Sequence, residues 1–237
     1  MGYRSRAAFK LKFINEKYKI IKPGDTIVDL GAAPGGWLQV AKELSSGTII
    51  GVDFQKIEPI EGVITIKGDM TLPETQQKIF DKVDKVNVVI CDAAPNVTGN
   101  WVLDHARSID LSKTGLDVAV KILAPGGNFL VKVFQGDLYQ GFLDEAGKHF
   151  SRVFSYKSPA SRAQSAEIYV LGKGFLTTSV RKGDVLDVKI DGIGKSGDGV
   201  AHVDGFVIFV KGAKAGGKVK IKIKDVKPEF GFGQIVE

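Results

Sequence analysis

Four aspartates stand where hydrophobic runs stop. Asp29 follows Thr26-Ile27-Val28, Asp53 ends Thr48–Asp53, Asp69 ends Gly62–Asp69, and Asp92 follows Val88-Val89-Ile90-Cys91. A lysine, Lys132, interrupts the apolar stretch Phe129–Phe134, and Glu167 opens another apolar stretch. A lysine buried in such a strand is costly unless an acid pairs with it or a reaction uses it. Two readings of Lys132 and Asp92 stand open. One is a structural ion pair, with the lysine stem reaching to the sheet edge. The other is an acid–base pair at the carboxyl ends of strands, where α/β sheets bind their ligands. Glu167 is open in the same way, as an edge charge or a working carboxylate.

The stretch Asp29-Leu30-Gly31-Ala32-Ala33-Pro34-Gly35-Gly36-Trp37 follows one run and precedes a helical pattern. Small residues there let a ligand lie against the backbone above a strand end. Asp53, at the end of the next run, can accept hydrogen bonds from both hydroxyls of a ribose. A carboxylate at Asp69 can accept from an adenine amino group. A dinucleotide site wants G-x-G-x-x-G so that a pyrophosphate can approach the helix end, and this loop is G-x-x-P-G-G. Three acidic strand ends (Asp29, Asp53, Asp69) would repel a pyrophosphate. They suit S-adenosylmethionine, a cationic nucleoside cofactor without phosphate. The plainer alternative is a generic βαβ turn followed by a capping acid.

These residues need a sheet to hold them. A helix over Arg4–Tyr18, strands at 26–31, 48–54, 62–69 and 86–94, and helices at 36–44, after Thr71 and over Arg107–Leu123 follow from apolar periodicity. Ala124-Pro125-Gly126-Gly127 reads as the turn ending the last of these helices. Strands at 128–134, 152–158 and 166–175, with a helix over 138–149, complete the unit. Apolar strands alternating with helices predict a mostly parallel, Rossmann-like sheet covered on both faces. The final two strands are joined by a loop, which makes the last one antiparallel. The pattern changes near Leu176–Ser179. From there the chain is β-patterned and punctuated by glycine, as in a small barrel. The predicted division is therefore 1–175 and 178–237.

In the second unit, Lys218-Val-Lys-Ile-Lys-Ile-Lys224 puts Lys218, Lys220, Lys222 and Lys224 on one face of a strand and apolar residues on the other. Such a stripe can track phosphates or protect an edge strand from pairing. The whole chain of 237 residues carries a net charge of +6, which favours an anionic partner. One cysteine, Cys91, excludes an internal disulfide. With only three scattered histidines, no zinc-ligand spacing exists. No apolar run nears the roughly 20 residues that span a bilayer, and the charged start lacks a signal-peptide core. A soluble cytoplasmic monomer with no metal and no membrane partner is the expectation.

Taken together, Tyr3-Arg-Ser-Arg-Ala-Ala-Phe-Lys10-Leu, DLGAAPGGW, CDAAPN, GGNFLVKVF and SRAQSAEIYV resemble the FtsJ-like (RrmJ-type) ribosomal RNA 2′-O-methyltransferases from Tyr3 to about Phe175. The 178–237 segment resembles a TRAM domain, an RNA-binding β-barrel, and the combination looks archaeal. The resemblance implies a catalytic K-D-K-E set at Lys10, Asp92, Lys132 and Glu167. It places cofactor contacts at Gly35, Trp37, Asp53, Asp69 and Asp92, beside Asp29, Gly31, Pro34 and Gly36 of the loop. It implies methyl transfer from S-adenosylmethionine to a ribose 2′-hydroxyl, on a uridine of large-subunit (23S) rRNA. In that reaction Lys132 would serve as base in its neutral form, or steer the hydroxyl if it stays charged. Arg4, Arg6, Lys10 and Lys12 would meet RNA phosphates, unless they form a solvated basic face. Trp101 and Tyr139 are aromatics that either stack on bases or pack at the rim. Relatives carry a basic extension before the Tyr3 motif, and its shortness here would shift RNA affinity toward the barrel. Rival readings are a transfer RNA anticodon-loop methyltransferase, a catalytically silent assembly factor on the same fold, and an NAD(P) oxidoreductase, which the loop disfavours.

Overall fold

The computed structural model describes residues 2–161 and 165–236. The middle of the Ser161–Val170 motif, residues 162–164, lies outside the described residues, as do Met1 and Glu237. The first unit runs α1 (Ala7–Tyr18), β1 (Ile27–Leu30), α2 (Gly36–Leu44), β2 (Ile49–Asp53), β3 (Val63–Lys67), α3 (Pro73–Phe80), β4 (Val86–Cys91), α4 (Trp101–Ile122), β5 (Leu123–Phe134), α5 (Tyr139–Gly147), β6 (Phe150–Tyr156) and β7 (Glu167–Phe175). Its sheet has the order β3-β2-β1-β4-β5-β7-β6. The pairs among β3, β2, β1, β4 and β5 are parallel, whereas β7 runs antiparallel to both β5 and β6.

Alternation along the strands feeds two cores. Ile27, Ile49, Val88, Ile90, Leu130 and Tyr169 pack with α1 and α2, while Val28, Ile50, Val89, Phe129 and Val131 pack with residues of α3, α4 and α5. Both faces are covered, which is why the central strands read as unbroken apolar runs. The direction of strand addition reverses between β1 and β4, so a crevice opens above their carboxyl ends. The acidic strand ends meet there.

Three boundaries differ from the sequence expectation. The first helix starts at Ala7 rather than Arg4. The long helix α4 starts at Trp101 rather than Arg107, where the Asn100 side chain caps it by accepting the Leu103 N–H. Its first turn, Trp101-Val102-Leu103, is apolar yet exposed, so it lacks the amphipathic rhythm that marks a helix. Strand β5 begins at Leu123, which pairs with Val86 ahead of an irregularity between Val86 and Val88. The predicted Ala124–Gly127 turn thus belongs to the strand.

The C-terminal unit holds β8 (Val185–Lys189), β9 (Gly192–Ile193), β10 (Gly199–Val203), β11 (Phe206–Val210), β12 (Lys218–Val226) and β13 (Phe230–Ile235), in the order β8-β12-β13-β11-β10-β9. Strands β8 and β9 lie at opposite edges, yet only Ile190 and Asp191 separate them. The Asp191 N–H donates to the Val200 carbonyl at 2.7 Å, and the Ile190 N–H to that of Gly217 at 2.9 Å. One kinked stretch of chain therefore supplies both edges, and the sheet curls around Ile190, Ala201, Ile208, Val210, Ile221 and Ile223. Strand β13 was not anticipated. Its inward positions are Gly231 and Gly233, and a Cβ on Gly233 would come 2.8 Å from Ile221 Cδ1. The tight interior selects glycine and erases the hydrophobic alternation.

Candidate functional site

Strands β5 and β7 bring the charged residues together. Register pairs Lys132 with Tyr169 and Phe134 with Glu167, so these four side chains share one face at the carboxyl end of β5. Lys132 Nζ lies 3.1 Å from Asp92 Oδ1 and donates to the Asp92 carbonyl at 2.5 Å. The Tyr169 hydroxyl donates to Asp92 Oδ1 at 2.9 Å and approaches Glu167 Oε1 at 3.4 Å. Glu167 Oε1 in turn accepts from Lys10 Nζ at 2.6 Å and from the Ser161 hydroxyl at 2.8 Å. The result is one chain of contacts, Lys10–Glu167–Tyr169–Asp92–Lys132. Burial pushes the Glu167 carboxyl up, but the bonds from Lys10 and Ser161 outweigh it and hold the group below the usual range. Burial, with Asp92 and Glu167 beside it, drives the Tyr169 phenol well above its usual range.

Tyr169 is the member that sequence reasoning missed. It is fully buried, packs against Trp37 at a ring separation of 5.9 Å and carries Lys10 over its ring. A tyrosine in an apolar strand looks like core. Its position two residues after Glu167, hence on the same face, was the available signal.

Beside this chain lies a cleft of about 220 Å³ lined by Gly31, Asp53, Asp69, Met70, Ala93, Asn96 and others. Asp53 Oδ2 accepts the Ala33 N–H at 2.9 Å and its Oδ1 the Gln55 N–H at 2.8 Å, so the same carboxylate also shapes the glycine loop. Asp69 Oδ1 accepts the Thr71 N–H and hydroxyl. Gly31 has φ +73°, and a Cβ there would stand 2.6 Å from Ala93 Cβ. The missing side chain lets the end of β1 pack against Ala93, and the cleft the two line with Asp53 and Asp69 fits a nucleoside cofactor.

The other predicted cofactor positions sit differently. Asp29 lies beneath the loop, fully buried, and neither carboxylate oxygen has a hydrogen-bond partner among the described residues. Burial, with Asp92 and Asp53 nearby, drives it well above the usual range. Trp37 donates its indole N–H to the Ala7 carbonyl at 2.8 Å and ties α2 to α1. Pro34 offers its carbonyl to Arg4, the Arg4 guanidinium lies against Gly35, and Gly36 abuts Ser5 Oγ. Cys91 is buried and its thiol is pushed up to about 12 by burial.

The N-terminal basic residues divide. The Arg4 guanidinium donates to the carbonyls of Pro34, Glu58 and Pro59, so it clamps the glycine loop to the 58–59 segment. Lys12 binds the Tyr3 hydroxyl at 2.9 Å and Glu43 at 3.4 Å. Lys10 belongs to the chain of contacts through Glu167, and Arg6 is exposed. Tyr139 bonds Ser155 and packs at the core rim.

On the barrel, Lys218, Lys220, Lys222 and Lys224 are exposed while Ile221 and Ile223 are buried. Strand β12 lies between β8 and β13, so the stripe does not protect an edge, and that alternative is overturned. Beside it, Phe209, Phe230 and Phe232 pack ring to ring at 5.5–6.1 Å on the outward face. Phe232 is exposed and the other two are half-buried. This trio was hard to read from the residue pattern because two of its members sit in β13. Among the described residues no helix is long and apolar enough to cross a membrane, and no cluster of three or more His, Cys, Asp or Glu side chains could hold a metal ion.

Comparison with known proteins agrees with this geometry. Residues 3–175 match the FtsJ-like methyltransferase family and residues 179–236 the TRAM domain. The ribosomal RNA large subunit methyltransferase E of Methanocella arvoryzae is 71% identical over 100% of this chain and 93% of its own length. The protein of the same name from Methanosarcina mazei is 58% identical over 100% of this chain and 89% of its own. A Plasmodium falciparum crystal structure described as a ribosomal RNA methyltransferase superposes with a TM-score of 0.66 at 29% identity, covering 73% of this chain and 98% of that one. A Clostridium thermocellum structure at 18% identity and TM-score 0.51, covering 73% of this chain and 100% of its own, shares the fold. The chain belongs to the FtsJ-like methyltransferases, enzymes that use S-adenosylmethionine, and carries a TRAM domain C-terminal to the methyltransferase region.

Proposed function

We propose that this chain methylates the ribose 2′-hydroxyl of a nucleotide in large-subunit ribosomal RNA, with a uridine as the target, in the cytoplasm and as a monomer. The observation that carries the reading is the buried chain Lys10–Glu167–Tyr169–Asp92–Lys132, set beside an acidic cleft that fits a nucleoside. The division of labour is 1–175 for chemistry and 178–237 for holding RNA. The names of the archaeal relatives support the choice of ribosomal RNA over transfer RNA.

S-adenosylmethionine supplies an electrophilic methyl group on a sulfonium. Asp53 and Asp69 would hold its ribose and adenine, with Gly31 giving access to the backbone. A 2′-hydroxyl is a weak nucleophile, so alignment is the main requirement. Lys132 is the residue placed to meet that hydroxyl. Its Nζ lies against both the Asp92 carboxylate, at 3.1 Å, and the Asp92 carbonyl, at 2.5 Å. Its remaining donor fixes the hydroxyl oxygen and leaves a lone pair toward the methyl group. The hydroxyl proton becomes strongly acidic as the carbon–oxygen bond forms, and the Asp92 carboxylate is at hand to take it. Lys10 and Glu167 position Asp92 through the Tyr169 hydroxyl. Of the two roles the sequence leaves open for Lys132, neutral base or charged steering group, the contacts with Asp92 support the second.

The test is to map 2′-O-methylation on unmodified large-subunit rRNA and on transfer RNA, with and without the enzyme. Methylation of a single rRNA site is expected. Lys132→Ala should lower kcat by at least about a hundredfold, the scale of losing a positioned catalytic group, while cofactor affinity by calorimetry stays within about twofold. Retained turnover would remove Lys132 from the reaction. Methylation confined to transfer RNA would replace the substrate assignment.

A further inference from the structure

We infer that Trp101 is a stacking platform for an unpaired base of the RNA, next to the nucleotide whose ribose occupies the catalytic site. The inference rests on the RNA-methylation reading and adds a residue that fixes how the strand enters.

The first turn of α4 is unusual for a soluble helix. Trp101, Val102 and Leu103 are exposed at 48%, 76% and 41%, with Val97 at 70% just before them. The turn is rigidly held. The Asp104 carboxylate accepts the Thr98 N–H, the Thr98 hydroxyl and the Gly99 N–H, and Asn100 caps the helix. Bonds from Thr98 lead in keeping Asp104 below its usual range. The indole of Trp101 lies nearly parallel to the Phe134 ring, with centroids 6.2 Å apart and 18° between planes, and to the His105 ring, 5.8 Å apart at 14°. His105 is buried and its Nε2 accepts the Leu138 N–H at 3.1 Å. Gly136 lies so close that a Cβ there would meet the imidazole at 2.8 Å. A large flat ring is therefore locked in one orientation while nearly half of it faces solvent.

Its place in the fold names the occupant. Phe134 follows Lys132 by two residues, so both lie on one face of β5, and Phe134 is the register partner of Glu167. The Trp101–Phe134 stack continues the catalytic face outward by one strand position. A ribose presented to Lys132 carries neighbouring nucleotides on both sides, and one of them must lie over the adjoining surface. Aromatic side chains there hold unpaired bases by stacking without selecting sequence. A protein ligand would need a broader apolar core than this single turn provides.

The experiment compares wild type, Trp101→Ala and Trp101→Phe on in vitro transcribed large-subunit rRNA. Trp101→Ala is expected to raise the RNA KM about tenfold, the order of one lost base stack, with kcat and calorimetric S-adenosylmethionine affinity unchanged. Trp101→Phe should restore most of the KM. Titrating RNA into wild type should quench tryptophan fluorescence, and the quench should vanish in Trp101→Phe, whose remaining tryptophan, Trp37, is buried. A wild-type KM in Trp101→Ala overturns the inference and leaves the exposed turn for a protein partner. An undiminished quench in Trp101→Phe overturns it as well. Should Trp101→Ala lose cofactor binding through misfolding, the fluorescence comparison decides alone. Absence of methylation by the wild-type enzyme would instead count against the RNA reading, while the titration still reports on stacking.

Discussion

At the scale of single residues, the site is a set of carboxyl groups in different electrical states. Glu167 is held ionised by Lys10 and Ser161, whereas Asp29, in β1, has no partner among the described residues and is driven toward its neutral form. The charge argument for a phosphate-free cofactor therefore rests on Asp53 and Asp69, and Asp29 adds little negative charge. A direct consequence is a pH-dependent cost. The unfolded chain releases the Asp29 proton near pH ~3.9, but the folded chain keeps it to higher pH. Between those values the native state binds more protons than the unfolded state, so stability falls as pH rises, by at most about 1.4 kcal/mol per pH unit. Asparagine cannot ionise. Asp29→Asn should gain stability relative to wild type as pH is raised from about 4 toward neutrality, whatever fixed offset the amide introduces. Thermal melts across pH 4–8 measure this, and parallel curves for the two proteins would show that Asp29 is ionised in the fold. Asp29 and Lys132 were visible in the sequence because charge in an apolar run is conspicuous. Tyr169 was not, because an aromatic in a strand looks ordinary until its partners are seen, and Arg4, read as a phosphate contact, has its guanidinium on the carbonyls of Pro34, Glu58 and Pro59.

At the scale of elements, the carboxyl ends of the central strands and the starts of α2, α3 and α5 were legible, whereas the starts of α1 and α4 were not. The parallel strands are buried on both faces, so their apolar runs stop where the backbone leaves the core. Helix α4 begins where its residues are turned outward, so its first turn has no burial to betray it. The barrel strand β13 was hidden by inward glycines, and β12 was seen but its central position was not, since pairing order is a long-range property. The turn after β1 ties element to site. Gly31 adopts φ +73°, and a side chain there would strike Ala93, whose backbone follows Asp92 and lines the cleft. Gly31→Ala should lose about 1–3 kcal/mol to backbone strain and, in addition, displace the β4 loop into the cofactor cleft. Gly99→Ala is the control, because Gly99 has φ +86° and open space around it. Both variants should melt lower, but only Gly31→Ala should lose S-adenosylmethionine affinity, by about tenfold or more if contact with the loop backbone is worth an ordinary hydrogen bond to a charged group. Equal affinities would mean that the loop yields without cost to the site.

At the scale of the whole molecule, the two units carry different groups for the proposed grip on RNA. The first holds the exposed Trp101 ring and a buried lysine, while several of its N-terminal cations are committed to carbonyls and to Glu43. The barrel offers a row of exposed lysines on a central strand and a phenylalanine cluster beside it. The row is not uniform. Lys220 stands opposite Asp187 in β8, whereas Lys218 stands opposite Lys189. The Lys218–Lys189 pair places like charges side by side, which costs stability and is tolerable where an anion settles between them. If this face tracks phosphates, its contribution must appear as released counterions. Replacing Lys218, Lys220, Lys222 and Lys224 by glutamine should make the slope of log affinity against log salt shallower by about 3, at roughly 0.7 per phosphate on a single strand. The fold should tolerate the change, because all four side chains are exposed. Phe232→Ala should weaken binding at every salt concentration and leave the slope unchanged, since stacking releases no ions. Filter binding or anisotropy with an rRNA fragment from low to moderate salt reads both quantities. A wild-type slope in the quadruple variant would mean that the stripe meets no phosphate, and the net positive charge of the chain would then have to act through the catalytic unit.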